Sequence, residues 1–373
     1  MKILSTDVLR DKIYQGLLKY KDPYLATDLV DAGCIKDLII DSRQIILNLN
    51  FGFLLDQHIN KIIKQLRLIL EPLIESLASE IGIRLELEIN SRSQISAHTH
   101  KEGLERLQKI KNIIPVGSGK GGVGKSTVAV NLAIALHQQG AKVGIVDADL
   151  YGPSLPHMLG CKVKIKTLNN KLQPNYINGI YCISIGNLLD EDSPIVWRGP
   201  MVSSGLLQLL YDTIWPELDY LIIDLPPGTG DLQLTLAQKI PVTGALIVTT
   251  PQPIALLDAQ KALIMFQKLD VKILGIIENM SVFVCENCHY EYEIFGKSGG
   301  LNLANKYQLR LLGNIPLDLN IRLQSDLGTP TVLVSPNSRI SKIYHDIASN
   351  VAAELSKLPK DLTFMNSVPI VID

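Results

Sequence analysis

The stretch that most constrains this chain is Gly119-Lys120-Gly121-Gly122-Val123-Gly124-Lys125-Ser126-Thr127. It follows an apolar run, Asn112-Ile113-Ile114-Pro115-Val116, that reads as a buried strand. It precedes Val128 to Leu136, which carries a helical pattern. Strand, glycine-rich turn and helix form the setting that a G-x-x-x-x-G-K-[ST] phosphate loop requires. The glycines let backbone N–H groups turn inward around phosphate oxygens, and the helix N-terminus adds partial positive charge. Lys125 is placed to reach the β- and γ-phosphates and the Ser126 hydroxyl to ligate Mg²⁺, so Gly119 to Thr127 are expected to bind ATP or a related triphosphate.

From Asn112 onward, apolar strand, turn and helix repeat, which implies a doubly wound, mainly parallel α/β sheet. Candidate strands are 142–146, 181–185, 220–223, 245–249, 272–277 and 310–312, each a short β-branched run of the kind buried on both faces. In such a sheet, ligand chemistry gathers at the carboxyl ends of the strands. Asp147 and Asp149 follow one of these runs at i and i+2, so their carboxylates point the same way. One could hold the water shell of Mg²⁺ while the other orients an attacking water; a paired-Asp turn capping the next segment is the simpler alternative. Asp224 closes another strand ahead of Leu225-Pro226-Pro227-Gly228-Thr229-Gly230-Asp231, the position of a carboxylate that holds a Mg²⁺-bound water. Asn279 and Pro316 follow two further strands. An Asn amide can both donate to and accept from an adenine edge, or can simply close a strand-end turn.

Cys285-Glu286-Asn287-Cys288 has three chemical readings: a redox pair, half of a zinc site, or half of an iron–sulfur site. Two thiolates do not complete a tetrahedral sulfur site, whereas two copies of the pair on a twofold axis do. Zinc satisfies the same geometry, and a purely structural role stays open. Cys34, Cys161 and Cys182 stand in no ligand-like pair and read as buried or turn residues.

At 373 residues the chain accommodates two domains. Its net charge of −1 offers no polyanion-binding surface, so nucleic acid is not an expected partner. Five cysteines argue against a secreted disulfide framework. No apolar stretch approaches ~20 residues and the first residues lack a signal-peptide core, so a cytoplasmic protein without a membrane partner is expected. Residues 1–90 read as a small α/β domain, with helical spacing from Leu4 to Leu18 and strands at 35–40, 44–49 and 84–89. Its 59–81 stretch is one long helix, or two if Pro72 opens a second. Residues 91–111 read as a polar linker in which His98 and His100 are solvated, 112–358 as the nucleotide domain, and 359–373 as a tail.

Lys120 alone would pass for a solvated charge, but K-G-G-V-G-K-[ST] resembles the deviant phosphate loop of the signature-lysine ATPases. That group includes nitrogenase iron protein, the Min and Par positioning ATPases and the Mrp/ApbC iron–sulfur carriers. The resemblance implies an ATP-dependent homodimer in which Lys120 crosses to the partner's nucleotide. It also implies that Asp149 is the water-activating switch I aspartate, that Asp224 opens switch II, and that Asn279 and Pro316 lie beside the base. Lys120, Lys125 and Asp149 are then the catalytic candidates, and Ser126, Asp147 and Asp224 the Mg²⁺ candidates. Asn279-Met280-Ser281, the C-x-x-C and Ile294-Phe295-Gly296-Lys297-Ser298-Gly299-Gly300 are similar to the Mrp/ApbC group, as is Trp197-Arg198-Gly199-Pro200-Met201. For that group the resemblance implies a [4Fe–4S] cluster held between Cys285 and Cys288 of two subunits. Cluster scaffold proteins and apo iron–sulfur proteins would be the partners. His289 departs from the usual Gly. Asp22 to Gly33 resembles the opening of a domain of iron–sulfur assembly proteins, with Tyr24 in place of Glu and no reactive Cys near 48–53, which implies a docking or regulatory appendage. A positioning ATPase is the competing class, but no basic amphipathic helix ends the chain and no basic cluster offers DNA a surface. A metabolic kinase lacks a substrate-lid pattern after the loop.

Overall fold

Alternating apolar residues build one sheet in this chain, and continuous apolar runs build another. The computed structural model describes residues 6–41, 44–55, 58–78, 84–90, 95–98, 107, 109–149, 152–161, 163–187 and 199–361. Two units emerge, one of residues 1–96 with 352–358, the other of 97–351 with 359–373.

The first unit contains α1 (Thr6–Leu17), β1 (Ile35–Ile40), β2 (Gln44–Asn50), α2 (Ile59–Ala78) and β3 (Arg84–Asn90). β2 lies between β1, antiparallel, and β3, parallel. β2 buries Ile45, Leu47 and Leu49, every second residue, on its core face. α2 is a single helix with Pro72 inside it. Ile62, Leu66, Leu70 and Ile74 form its buried stripe at four-residue spacing. Cys34 lies in this core, as do Ala352 and Ala353. The Asp22-Pro23-Tyr24-Leu25 segment is a capped turn. Asp22 is fully buried and its Oδ1 accepts the Tyr24 and Leu25 N–H groups, each at 2.9 Å. Asp28 does the same for Val30 and Asp31. The Tyr24 hydroxyl meets His58 Nε2 at 2.7 Å.

The second unit holds β4 (Ile110–Ser118), β5 (Val143–Asp147), β6 (Lys166–Leu168), β7 (Lys171–Gln173), β8 (Asn175–Ile177), β9 (Ile180–Ser184), β10 (Leu218–Asp224), β11 (Ala245–Thr249), β12 (Ile273–Glu278), β13 (Phe283–Val284), β14 (Glu291–Tyr292) and β15 (Leu311–Asn314). Its helices are α3 (Lys125–Gln138), α4 (Leu155–Met158), α5 (Gly199–Tyr211), α6 (Asp231–Lys239), α7 (Pro253–Lys268), α8 (Gly299–Lys306), α9 (Leu319–Asp326), α10 (Thr331–Val334) and α11 (Arg339–Ser356), whose last turn counts with the first unit. The main sheet runs β15-β12-β11-β4-β10-β5-β9-β8, with every pairing parallel except that of β8 with β9. β5, β11 and β12 are buried along their whole length, as strands covered on both faces must be. The expected mostly parallel α/β sheet is present.

Several short strands escape a reading based on apolar runs, β6, β7 and β8 among them. β6 and β7 join through Asn169-Asn170, and β8 and β9 through Asn178-Gly179, all four residues at positive φ. Asn-Gly between strands is a strong hairpin signal, and it folds an antiparallel edge onto the sheet.

His98 is not solvated, contrary to expectation. It is 3 % exposed, its Nδ1 lies 2.9 Å from Asn112 Oδ1, and Asn112 in turn donates to the Asp219 carbonyl. A bridge to Lys360 draws residue 98 into the second unit. His100 lies outside the described residues. Burial lowers the His98 pKa below the ordinary imidazole value. The folded state therefore binds fewer protons than the unfolded state as pH falls below about 6.5, and stability is lost in that direction. His98→Gln, which keeps a hydrogen bond to Asn112 but does not titrate, is expected to make the fall in Tm between about pH 7 and pH 5 shallower, measured by thermal unfolding.

Candidate functional site

Parallel register brings the chemistry together. Asp224, the last residue of β10, stands level with Val116 of β4 on one side and Asp147 of β5 on the other. The loop from Ser118 to Gly124 leaves β4 at this level and turns into α3. Gly119 is obligatory here, since a Cβ would collide with the Asp258–Ala259 backbone of α7. Gly124 caps α3 at φ +81°, with no side chain capping the first turn. The N–H groups of that turn are thus open to an anion. Ser118 Oγ donates to the Lys120 carbonyl, and the Gly228 N–H donates to the Ser118 carbonyl, which ties the loop after β10 to the phosphate loop.

Lys125 Nζ and Asp224 Oδ1 form an ion pair at 2.5 Å, with the lysine side chain 6 % exposed and the carboxylate fully buried. Lys125 Nζ also lies 3.2 Å from Ser126 Oγ. Asp224 Oδ2 is buried with no hydrogen-bond partner among the described residues. Burial pushes the Asp224 carboxyl up, Lys125 and Ser126 pull it down, and the charge of Asp149 pushes it up again. A buried carboxylate oxygen without a donor, beside a serine hydroxyl, is the oxygen set that a hydrated Mg²⁺ takes, so the residues present fit that ion.

Asp147, level with Asp224, is held differently. Its carboxylate is fully buried and taken up by protein donors: Oδ1 accepts the Asp149 N–H, and Oδ2 accepts the Ser154 and Leu155 N–H groups and the Ser184 hydroxyl. Burial, followed by the charge of Asp224, pushes its pKa up to about 7. These bonds make Asp147 the organiser of the loop that carries Asp149. Asp149 is half-buried at the same crevice. Ser184 belongs to this arrangement and went unnoticed in the sequence, where nothing marks it beyond its place at the end of β9.

Lys120 Nζ reaches Gln252 Oε1 at 3.3 Å, just ahead of α7. Asn279 is 7 % exposed and its Nδ2 donates to the Val123 carbonyl at 2.9 Å, so the side chain braces the phosphate loop. Pro316 is buried two residues past the end of β15. Gly199, Pro200 and Met201 open α5, while Trp197 and Arg198 lie outside the described residues.

Cys285 and Cys288 occupy the turn of the β13–β14 hairpin. The Cys285 N–H donates to the Tyr290 carbonyl and the His289 N–H to the Cys285 carbonyl. Cys285 is half-buried and Cys288 exposed, whereas Cys34, Cys161 and Cys182 are all buried. The N–H of Cys288, then that of Asn287 and the Cys288 thiol, hold the Cys285 thiol below the usual cysteine range. His289 sits at φ +56°, the left-handed region that glycine fills without strain. Tyr290, Tyr292 and Ile294 are 63 %, 48 % and 57 % exposed around the pair. Among the described residues, no group of three or more His, Cys, Asp or Glu side chains is arranged to hold a metal.

A sequence profile of the family described as ParA, NUBPL iron-transfer P-loop NTPase, matches residues 109–352. The iron–sulfur cluster carrier protein of Escherichia coli K12 is 53 % identical over 264 residues, 69 % of this chain and 72 % of that protein. The iron–sulfur cluster carrier protein of Haemophilus influenzae is 43 % identical over 363 residues, 95 % of each chain. Among solved structures, a nucleotide-binding protein of Archaeoglobus fulgidus in complex with ADP aligns with a TM-score of 0.54 and 42 % identity, over 60 % of this chain and 88 % of that one.

Removing one partner of a buried ion pair leaves the other charge uncompensated, at a cost of about 3–5 kcal/mol. Lys125→Met is therefore expected to lower stability in urea unfolding as well as to abolish binding of a fluorescent ATP analogue. Lys125→Met/Asp224→Asn should regain most of the stability while nucleotide binding stays absent.

Proposed function

The chain belongs to the NUBPL iron-transfer P-loop NTPase family, and on that premise we propose that it is an ATP-dependent iron–sulfur cluster carrier. The observation that carries this reading is the placement of its cysteines. Three are buried, while Cys285 and Cys288 alone are presented together on an exposed hairpin, with one thiol already biased toward thiolate. Two thiolates leave a [4Fe–4S] cargo half-ligated, so a second copy of the chain completes the site across a twofold axis. The exposed Tyr290, Tyr292 and Ile294 supply apolar surface to that contact. Cluster scaffold proteins load the dimer and apo iron–sulfur proteins receive from it, in the reducing cytoplasm where free thiols persist.

In the nucleotide site, Gly119 to Thr127 cradle the phosphates and Lys125 turns from Asp224 to the β- and γ-oxygens. Ser126 and Asp224 would hold Mg²⁺, which supplies charge neutralisation at the phosphates. Asp149, steadied through Asp147, orients the attacking water, and Asn279 and Pro316 stand on the side of the base. Lys120 leaves Gln252 to reach the nucleotide of the second copy. The first unit, whose Asp22 and Asp28 are spent on turns, serves as a docking or regulatory appendage. No helix among the described residues is long and apolar enough to cross a membrane.

Anaerobic reconstitution with iron and sulfide tests the reading. The wild-type chain should develop a labile visible chromophore with about four iron atoms per dimer, and Cys285→Ala/Cys288→Ala should remain colourless. Transfer of the chromophore to an apo-ferredoxin establishes the carrier. A wild type that stays colourless and retains stoichiometric zinc makes the cysteines a structural clasp and defeats the proposal.

A further inference from the structure

The cysteine hairpin is an excursion between two consecutive points of the nucleotide domain, and both of its roots converge on one dipeptide. On the leading side, β12 ends at Glu278, and the chain passes through Asn279, Met280 at φ +54° and Ser281 into β13. Ser281 is pinned twice to the Ile315 carbonyl, by its N–H and by its hydroxyl. On the returning side, the chain runs from β14 to α8, which begins at Gly299. The Gly300 N–H in the first turn of α8 donates to Glu278 Oε2. A side chain at residue 300 would strike the Glu278 Cβ, so glycine is what lets α8 close on this carboxylate. Gly299 similarly lies against the Pro251 backbone, one residue before Gln252.

Glu278 is 3 % exposed, an unusual setting for a carboxylate that has no ion-pair partner among the described residues. Its partner is the first turn of α8, and a helix N-terminus suits a negative charge. The next residue, Asn279, holds the Val123 carbonyl of the phosphate loop. Adjacent side chains of one strand end thus grip the two functional parts of the protein, the loop through Asn279 and the far root of the hairpin through Glu278.

We propose that Glu278 is a positioning residue that couples occupancy of the nucleotide site to the position of the cysteine hairpin. This rests on the carrier reading above. Nucleotide entering the loop shifts Val123 and with it Asn279. Glu278 moves as part of the same strand end and carries α8 and the returning arm of the hairpin, while Ser281 holds the leading arm to Ile315. The relative placement of the arms sets how Cys285 and Cys288 are presented to the second copy.

The test compares reconstituted wild type with Glu278→Ala and Glu278→Gln. The rate of cluster loss to a chelator is measured with and without Mg-ATP, alongside iron content and ATP turnover. In the wild type the nucleotide should change the rate by about fivefold or more. Glu278→Ala should take up the same iron and turn over ATP at the wild-type rate, yet show no nucleotide effect. Glu278→Gln, which still accepts from Gly300, should restore most of it. A Glu278→Ala protein with the full nucleotide effect overturns the coupling. Hydrogen exchange on the wild-type chain decides the same point without a variant. ATP should slow exchange of the Gly300, Cys285 and His289 amides, and unchanged exchange there overturns the proposal. A wild type that loads no cluster defeats the carrier reading instead, and the hydrogen-exchange result then decides the coupling alone.

Discussion

A lysine and an aspartate that have left water together underlie everything else in the nucleotide domain. The Lys125–Asp224 pair comes from the first residue of α3 and the last residue of β10, ninety-nine positions apart. Withdrawing two charges from solvent is costly, and the attraction between them offsets this only with close geometry. That geometry comes from the parallel pairing of β4 with β10, which sets Asp224 level with Val116 at the mouth of the phosphate loop. A parallel central sheet is therefore the condition under which these two side chains tolerate burial. The unpartnered Asp224 Oδ2 is the portion of the cost left unmet, and it lies where a hydrated cation would relieve it.

The same economy of polar groups runs through the other strand ends. Asp147 spends its carboxylate on the loop that follows β5, Asn279 on the loop that follows β4, and Glu278 on the first turn of α8. The carboxyl ends of β5 and β12 thus deliver buried polar side chains to segments that apolar packing alone could not hold. The cysteine hairpin is the outermost of these segments. Its own strands are two residues each, so its position depends on the roots more than on internal pairing.

Much of this was legible in the chain. The glycine-rich loop between an apolar run and a helical pattern, Asp224 at the close of another run and the C-x-x-C spacing are local features, and local sequence states them. The strands of the parallel sheet were legible to within a residue or two, because burial on both faces demands uninterrupted apolar runs. The β6–β7 and β8–β9 hairpins were harder to see, since three-residue strands carry no periodicity and only Asn169-Asn170 and Asn178-Gly179 mark them. His98 was misread for a related reason. A polar neighbourhood in sequence looks solvated, and only the arrival of Asn112 and Lys360 from elsewhere buries it.

The sequence by itself determined the class of sheet, the loop built for phosphates and the pair of cysteines, because those depend on residue type and spacing within one segment. Tertiary structure decided which acidic residues hold protein and which are left open to the crevice. Asp147 and Asp224 look alike in sequence, each closing an apolar strand. They differ because the donors that saturate Asp147 come from residues 149, 154, 155 and 184, while Asp224 meets Lys125 through one oxygen and no donor among the described residues through the other. How many hydrogen bonds a buried carboxylate receives is a property of everything folded around it, and no stretch of chain carries that information alone.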